Sequence, residues 1–411
     1  MKDLRPILST LMRSKAGMVL IGTQIALTLA IVCNALFIMS QRLDLMGRAS
    51  GINETDTFVI SSQGFGAGFN IQTTIQADLA LLRSLPGVAA AAPQNTVPLS
   101  GGGWSEGISL SPEQKTSTAG AAIYFTDEHG IDAFGLDLVA GRNFKSEEIG
   151  FRDQRENEWP PGIIITRLLG EKLFPGESPI GKQFYLNVEA APITVVGVIE
   201  KMQMPWPRPG SRSGDPNTVE YSILVPQIVP FGNSYAYLVR AEPGRRDELM
   251  GVVEAKLGES NRSRLVEDLK SLQDIRAEAY RRDRAMTLIL GGVIVALLGV
   301  TALGIVGMAS FWVGQRTRQI GTRRALGATR RDILAYFLTE NFLITTIGIL
   351  VGVVLTYAFN LWLMANYRSP HLPWFYVPVG VVCLWLLGQI AVLGPATRAS
   401  RVPPAVATRA A

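Results

Sequence analysis

The chain has 411 residues, 47% of them hydrophobic, and its mean hydropathy of +0.22 fits neither a pure membrane bundle nor a fully soluble enzyme. Its two cysteines, Cys33 and Cys383, both lie inside apolar runs, which excludes a disulfide framework and a thiolate metal site. A formal charge of +5 points to nucleic acid only where the cations share one surface, and their placement along this chain is different.

In chain order, residues 1–16 form a short basic start and residues 17–40 an apolar run without charge. That run exceeds the ~7 to 15 residues of a signal-peptide core and no A-x-A site follows it, so it reads as a retained span. Residues 41–284 have ordinary globular composition. Runs of β-branched and aromatic residues predict strands at 57–60, 122–125, 163–165, 193–196, 222–225 and 235–239. Between the strands, the capping-box spacing of Thr73 and Gln76, with Ile75, Leu79 and Leu82 at helical intervals, predicts a helix stopped by Pro86 and Gly87. A second helix is predicted over 246–257 with Leu249, Val252, Val253 and Lys256 on one side, and residues 206–216 read as a loop. No Gly or Pro interrupts the helical pattern of Leu272, Ile275 and Ala279 between Ser271 and Met286, so the next membrane helix is expected to extend as a stalk, the alternative being an ordinary amphipathic helix that ends at the headgroups. Leu43 and Met46 extend the first helix similarly, up to Gly47.

Residues 285–314, 333–364 and 372–395 complete a set of four segments, each long enough to cross ~30 Å of hydrocarbon at ~1.5 Å per residue. Segments 1–16, 315–332 and 396–411 together hold 13 Lys/Arg against Asp3 and Asp332, whereas 41–284 holds 25 Lys/Arg and 31 Asp/Glu, and Arg368 is the one cation between the last two spans. The positive-inside rule places both termini and the 315–332 link in the cytoplasm and the large segment outside. The expected fold is a membrane protein of four transmembrane α-helices, with a large α+β extracytoplasmic domain inserted between helices 1 and 2. Membrane lipids, and no nucleic acid, are its expected partners on charge grounds.

Two motifs imitate chemistry. Residues 176–183 follow the first seven positions of a phosphate loop but lack the Ser/Thr that holds magnesium and contain Pro179. Gly103-Trp104-Ser105-Glu106-Gly107 fits a nucleophile elbow, yet Gly101 and Gly102 beside it read as a flexible loop, and His129 and His371 are the only histidines. A hydrolase built on Ser105 is therefore the weakest functional class; no catalytic residue and no metal site is expected. Glu340, followed by Asn341, is the single acid in the four spans. An ionised carboxylate near a bilayer centre costs ~2.5 kcal/mol or more, so it must face protein or water, as a proton relay or as a structural hydrogen bond. The lack of further intramembrane acids favours the second. Gly292 with Ala296, and Gly348 with Gly352, have the spacing of close helix packing.

The link carries Arg316, Arg318, Arg323, Arg324, Arg330 and Arg331, interleaved with Ile320, Ala325, Leu326, Ala328 and Ile333. A topogenic anchor needs charge alone. The interleaving makes a short amphipathic element that offers an apolar contact and guanidinium forks to a groove on a partner.

The run from Arg318 through Gly321, Arg323, Arg324, Ala325, Leu326, Gly327, Ala328, Arg330 and Arg331 to Ile333, with Glu340 downstream, resembles the cytoplasmic signature of ABC transporter permeases of the macrolide-exporter MacB and FtsX family. Leu81 with Leu85 to Val88, Gly141-Arg142-x-Phe144, Leu173 to Lys182 and Val195-Val196-Gly197-Val198 resemble that family's periplasmic core domain, which explains the imitation phosphate loop as a structural turn. The resemblance implies a permease subunit in the bacterial cytoplasmic (inner) membrane that pairs with a second permease, identical or related. It implies a separate cytoplasmic ABC ATPase subunit, engaged through a coupling helix that includes Arg316, Ile320 and Gly321. This chain would bind no cofactor, with ATP and Mg held in the ATPase. It further implies mechanotransmission to the outer domain, for export of a drug, peptide or lipid-linked substrate, with a periplasmic adaptor among the partners. The alternative is a non-transport signal transducer or scaffold that activates a periplasmic cell-wall enzyme.

Overall fold

Helix α1, Lys15–Gly47, takes in the whole first apolar run and continues through Leu43 and Met46 to Gly47. The computed structural model describes residues 15–114, 116–156, 158–186, 191–208, 216–367 and 370–402. Lys2, Asp3, Arg5, Arg13, Arg368, Arg409 and the greater part of the 206–216 loop lie outside the described residues. The chain divides into two units, residues 1–44 with 283–411, and residues 45–282.

The inserted unit contains β1 (Thr57–Gly64), α2 (Ile71–Ser84), β2 (Val88–Gln94), β3 (Trp104–Ser109), β4 (Ala119–Phe125), α3 (Gly130–Phe134), β5 (Leu138–Gly141), β6 (Gly150–Phe151), β7 (Gly162–Thr166) and α4 (Arg167–Leu173). It continues with β8 (Gln183–Leu186), β9 (Ile193–Ile199), β10 (Ser222–Val225), β11 (Gln227–Ile228), β12 (Ser234–Ala241), α5 (Arg246–Ser260), β13 (Arg264–Ser271) and α6 (Leu272–Ala279). One sheet is antiparallel, in the order β13-β1-β12-β2; a larger mixed sheet runs β5-β9-β7-β10-β4-β3-β8. Each of the six expected strands is present. The period of two decides the small sheet's core: Phe58 and Ile60 bury against α2 and α5, while Val59 turns to the opposite face with Ala92 and Leu238. Fully burying such a side chain contributes ~1.5–3 kcal/mol.

Several local expectations are corrected. Asn70, not Thr73, caps α2: its side chain accepts the Thr73 N–H at 3.0 Å, while the Thr73 hydroxyl donates back to the Asn70 carbonyl. The inner row of α5 is Leu249, Val253 and Leu257; Val252 is 41% exposed, and Lys256 pairs with Glu259 at 2.9 Å. Gly101 and Gly102 lie in a loop as expected, but Ser105 sits inside β3 opposite Ala122, so the segment makes no strand-to-helix elbow. Residues 176–182, by contrast, form the turn expected of them: they lead into β8 instead of a helix, and Lys182 bonds Glu177 at 2.6 Å, which leaves no helix N-terminus to hold a phosphate. The uninterrupted stalk is also broken. Helix α6 ends at Ala279, and Tyr280, at φ −99° and ψ 8°, separates it from the next helix. The Tyr280 ring is buried, with the Arg276 guanidinium 5.5 Å above it. Arg276 itself donates to the carbonyls of Met46 and Arg48 and pairs with Glu54, so tertiary contacts override helix propensity here.

Two of the separately read motifs meet across the β5–β9 ladder, where Gly141 lies opposite Gly197. Gly141 has φ +76°, and a Cβ there would stand 2.3 Å from the Val196 carbonyl oxygen. The next residue, Arg142, bonds Glu148 through both guanidinium ends, at 2.8 and 2.6 Å.

In the other unit, α1 is joined by α7 (Arg281–Gln315), α8 (Thr317–Ala325), α9 (Arg330–Tyr367) and α10 (Tyr376–Ser400). Helices α1, α7, α9 and α10 are long and apolar enough to cross a membrane. Their shared core includes Ile25, Leu29, Ile305, Ile344 and Leu384. Gly348 and Gly352 let α9 touch α1 backbone to backbone: a Cβ on them would lie 2.8 Å from the Gly22 carbonyl oxygen and 3.0 Å from the Ala26 Cα. Gly292 and Ala296 differ from the expectation. Both are exposed, and among the described residues nothing lies within 4 Å of a Cβ on Gly292.

Candidate coupling site

The link folds as helix α8, nine residues long, with Ile320 and Gly321 on its buried side. Ile320 joins the membrane unit's core with Ile333 and Phe337, which fixes which way the remaining side chains face. The six arginines then separate by partner. Arg316 turns inward, donating from Nη1 to both carboxylate oxygens of Glu340 at 2.9 Å, with its guanidinium 5.9 Å from the Trp312 ring. Arg323 lies 5.0 Å over the Tyr336 ring. Arg324 donates to the carbonyls of Ser400 at 2.8 Å and Val402 at 3.3 Å, satisfying acceptors at the end of α10.

Arg318, Arg323, Arg330 and Arg331 are exposed, as are Ala325 and Gly327, and Leu326 is 84% exposed, while Arg316, Arg324 and Ala328 are half-buried. The surface offered to a partner is therefore narrower than the sequence implied: a bare leucine with four cations, without Arg316 and Arg324. An apolar side chain this exposed beside fork-shaped donors suits a groove with acidic edges.

Glu340 and Asn341 are both buried and line a cavity of about 10 Å³ with Trp312, Phe337 and Val392. Space for about one water does not make a proton path, and the carboxylate is held by Arg316, so the structural role is the one the geometry supports. The sequence reading missed a set of uncharged polar contacts that join α1 to α7, α1 to α9, and α9 to the segment before α10. Thr28 and Thr301 share a hydrogen bond of 2.8 Å, Asn34 Nδ2 donates to the Thr356 carbonyl, and Asn360 Oδ1 accepts the Leu372 N–H. It also missed the ion pair of Arg42 with Asp283. Thr and Asn inside the apolar runs were the available signal, since such groups need partners away from water.

An α+β unit inserted between the first two of four apolar helices, with an arginine-bearing helix between the second and third, defines a polytopic permease architecture. Residues 17–260 match the family described as MacB-like periplasmic core domain, and residues 291–404 that described as FtsX-like permease C-terminal. The chain belongs to this family and is an ABC transporter permease of the MacB/FtsX type. It is 27% identical to an uncharacterized ABC transporter permease, YvrN of Bacillus subtilis (strain 168), over 74% of this chain and 73% of that protein. It is 25% identical to the macrolide export ATP-binding/permease protein MacB of Brucella abortus (strain 2308), over 95% of this chain and 56% of that protein. The chain thus spans about half the length of that MacB. The periplasmic region of MacB from Actinobacillus actinomycetemcomitans aligns in structure with 57% of this chain and 97% of its own, at 16% identity and a TM-score of 0.35.

Proposed function

We propose that the chain is the permease subunit of an ABC transporter in the cytoplasmic membrane, with both termini and α8 on the cytoplasmic side, and that it works by mechanotransmission. A separate ATPase, which binds ATP and Mg, docks on α8; its closure moves the membrane helices and through them the periplasmic unit. The observation that carries this reading is the outward set of Arg318, Arg323, Leu326, Arg330 and Arg331 around the passage from α8 into α9, two helices anchored in the membrane unit's core by Ile320 and Ile333. Solvated topogenic arginines do not require an 84% exposed leucine among them.

A second permease, identical or related, completes the assembly, and the uncovered Gly292 and Ala296 side of α7 is the surface for it. Export of a drug, peptide or lipid-linked substrate, with a periplasmic adaptor, is the reading favoured by the macrolide-export name of a relative that aligns with 95% of this chain. Switching such an outer unit from 1:99 to 99:1 takes ~5.5 kcal/mol of differential stabilisation, which the ATPase cycle must deliver through the helices.

The test is copurification of an ATPase from native membranes with the tagged chain, followed by turnover measurements with and without it. Arg318→Glu, Arg330→Glu and Arg331→Glu combined with Leu326→Ser should lower association at least tenfold. Unchanged association would show the arginines to be topogenic only.

A further inference from the structure

The inserted unit holds a cavity of about 620 Å³ on the face of the small sheet that α2 and α5 leave uncovered, a volume typical of a small-molecule site. Its floor is one register row, Ser61 opposite Ala236 and Ala236 opposite Gln94, with Val59 two residues along. Gln94 is 1% exposed and lines the cavity, and neither its Oε1 nor its Nε2 has a hydrogen-bond partner. A buried amide with both ends unpaired loses its hydration for nothing within the chain, so it calls for a ligand that answers both.

A second, independent observation comes from the backbone. Among the described residues, Leu99 at φ 66° and Asp268 at φ 52° are the non-glycine residues in the left-handed region, and both line this cavity. Such strain persists where surrounding structure enforces it, and it concentrates at ligand clamps. Both positions are enforced. Asp268 lies where the β1–β13 register shifts, and the loop bearing Leu99 is pinned by the Leu99 N–H to Met204 and the Gly101 N–H to Pro205. At the rim, Lys270 and Glu278 pair with each other at 3.1 Å, and the Asp268 carboxylate beside them disfavours an anion. Val59, Leu99 and Ile275 supply apolar walls.

We infer that this cavity is a binding site for a neutral, apolar, amide-bearing molecule of the short-peptide class, held by the two ends of the Gln94 side-chain amide. One extended residue presents its N–H and C=O to the same side, which matches the donor and acceptor of a single glutamine. The inference rests on the inserted unit alone and stands whether or not an ATPase docks on α8.

The probe is N-acetyl-leucyl-leucine N-methylamide, titrated calorimetrically against the full chain in lipid nanodiscs, with its fully N-methylated analogue as the control. Saturable binding of one probe per chain is expected, weakened at least tenfold by Gln94→Leu and at least tenfold by N-methylation, and abolished by Ser61→Trp, which fills the floor. Thermal unfolding of each variant separates loss of binding from loss of fold. Absence of saturable binding to the unaltered chain, or equal affinity for folded Gln94→Leu, would overturn the assignment while leaving the ATPase copurification result untouched.

Discussion

Arg316 Nη1 lies 2.9 Å from both carboxylate oxygens of Glu340, joining the end of α7 to the body of α9 with a pair that is 14% and 2% exposed at the side chains. Removing either partner strands a buried charge, at a cost of ~3–5 kcal/mol, whereas replacing both with apolar groups of similar volume costs much less. Thermal unfolding in detergent should therefore show Arg316→Met and Glu340→Met each strongly destabilised and the double variant closer to the parent than either. A double variant that falls by the sum of the two would mean that the groups act separately.

The two small-residue pairs should respond with opposite sign. Gly348→Ala places a methyl 2.8 Å from a backbone oxygen of α1, and overpacking of that kind costs ~1–3 kcal/mol. Gly292→Ala meets nothing within 4 Å, so the ~1 kcal/mol gain of alanine over glycine in a helix is the expected result for the chain alone. Unfolding midpoints that move down for the first and not for the second confirm that only the α9 pair is used within the chain. If the Gly292 variant is also destabilised, its effect arises from contacts between copies, and dilution should remove it.

The spans and strands were legible because uninterrupted apolar runs and β-branched clusters are local properties. The roles of the arginines were not. Arg316 and Arg318 are two residues apart with the same flanking chemistry, and what separates them is Glu340, 24 residues on, placed within reach by the turn between α8 and α9. The break at Tyr280 was hidden for the same reason: the residues around it favour helix, and the contacts that hold Arg276 over the ring come from 228 and 230 positions earlier in the chain. Gln94 carried no signal at all, since a glutamine ending a strand looks like any solvated edge residue until its burial is known.

Asp78 is the acceptor at the centre of the inserted unit's buried polar cluster, taking a hydrogen bond from Tyr237 at 2.6 Å and an ion pair from Arg264, which also donates to the Leu257 carbonyl. Burial pushes the Tyr237 hydroxyl up, with the Asp78 charge adding to it. Arg264→Met leaves the Asp78 carboxylate buried without its cation, a loss of ~3–5 kcal/mol. Tyr237→Phe removes one hydrogen bond to a charged group, worth ~1.5–3 kcal/mol. Circular dichroism melts should rank Arg264→Met below Tyr237→Phe and both below the parent. The reverse order would show that the hydrogen bond from the phenol, more than the guanidinium charge, stabilises the buried Asp78 carboxylate.

Hydrogen bonds from Arg142 hold the Glu148 carboxyl at about 2, below its ordinary 4.5. A carboxylate depressed in the folded state adds stability that is fully present above pH 4.5 and is lost as the pH falls from there towards 2. Both side chains are partly solvated, at 31% and 44% exposure, so screening keeps the contribution to ~0.2–1 kcal/mol. The difference in unfolding midpoint between the parent and Arg142→Gln should accordingly be measurable at pH 6, shrink steadily below pH 4.5 and vanish near pH 2, and high salt should reduce it at pH 6. A difference that stays constant across this range would assign Arg142 a packing role beside the Gly141–Gly197 crossing instead of an electrostatic one.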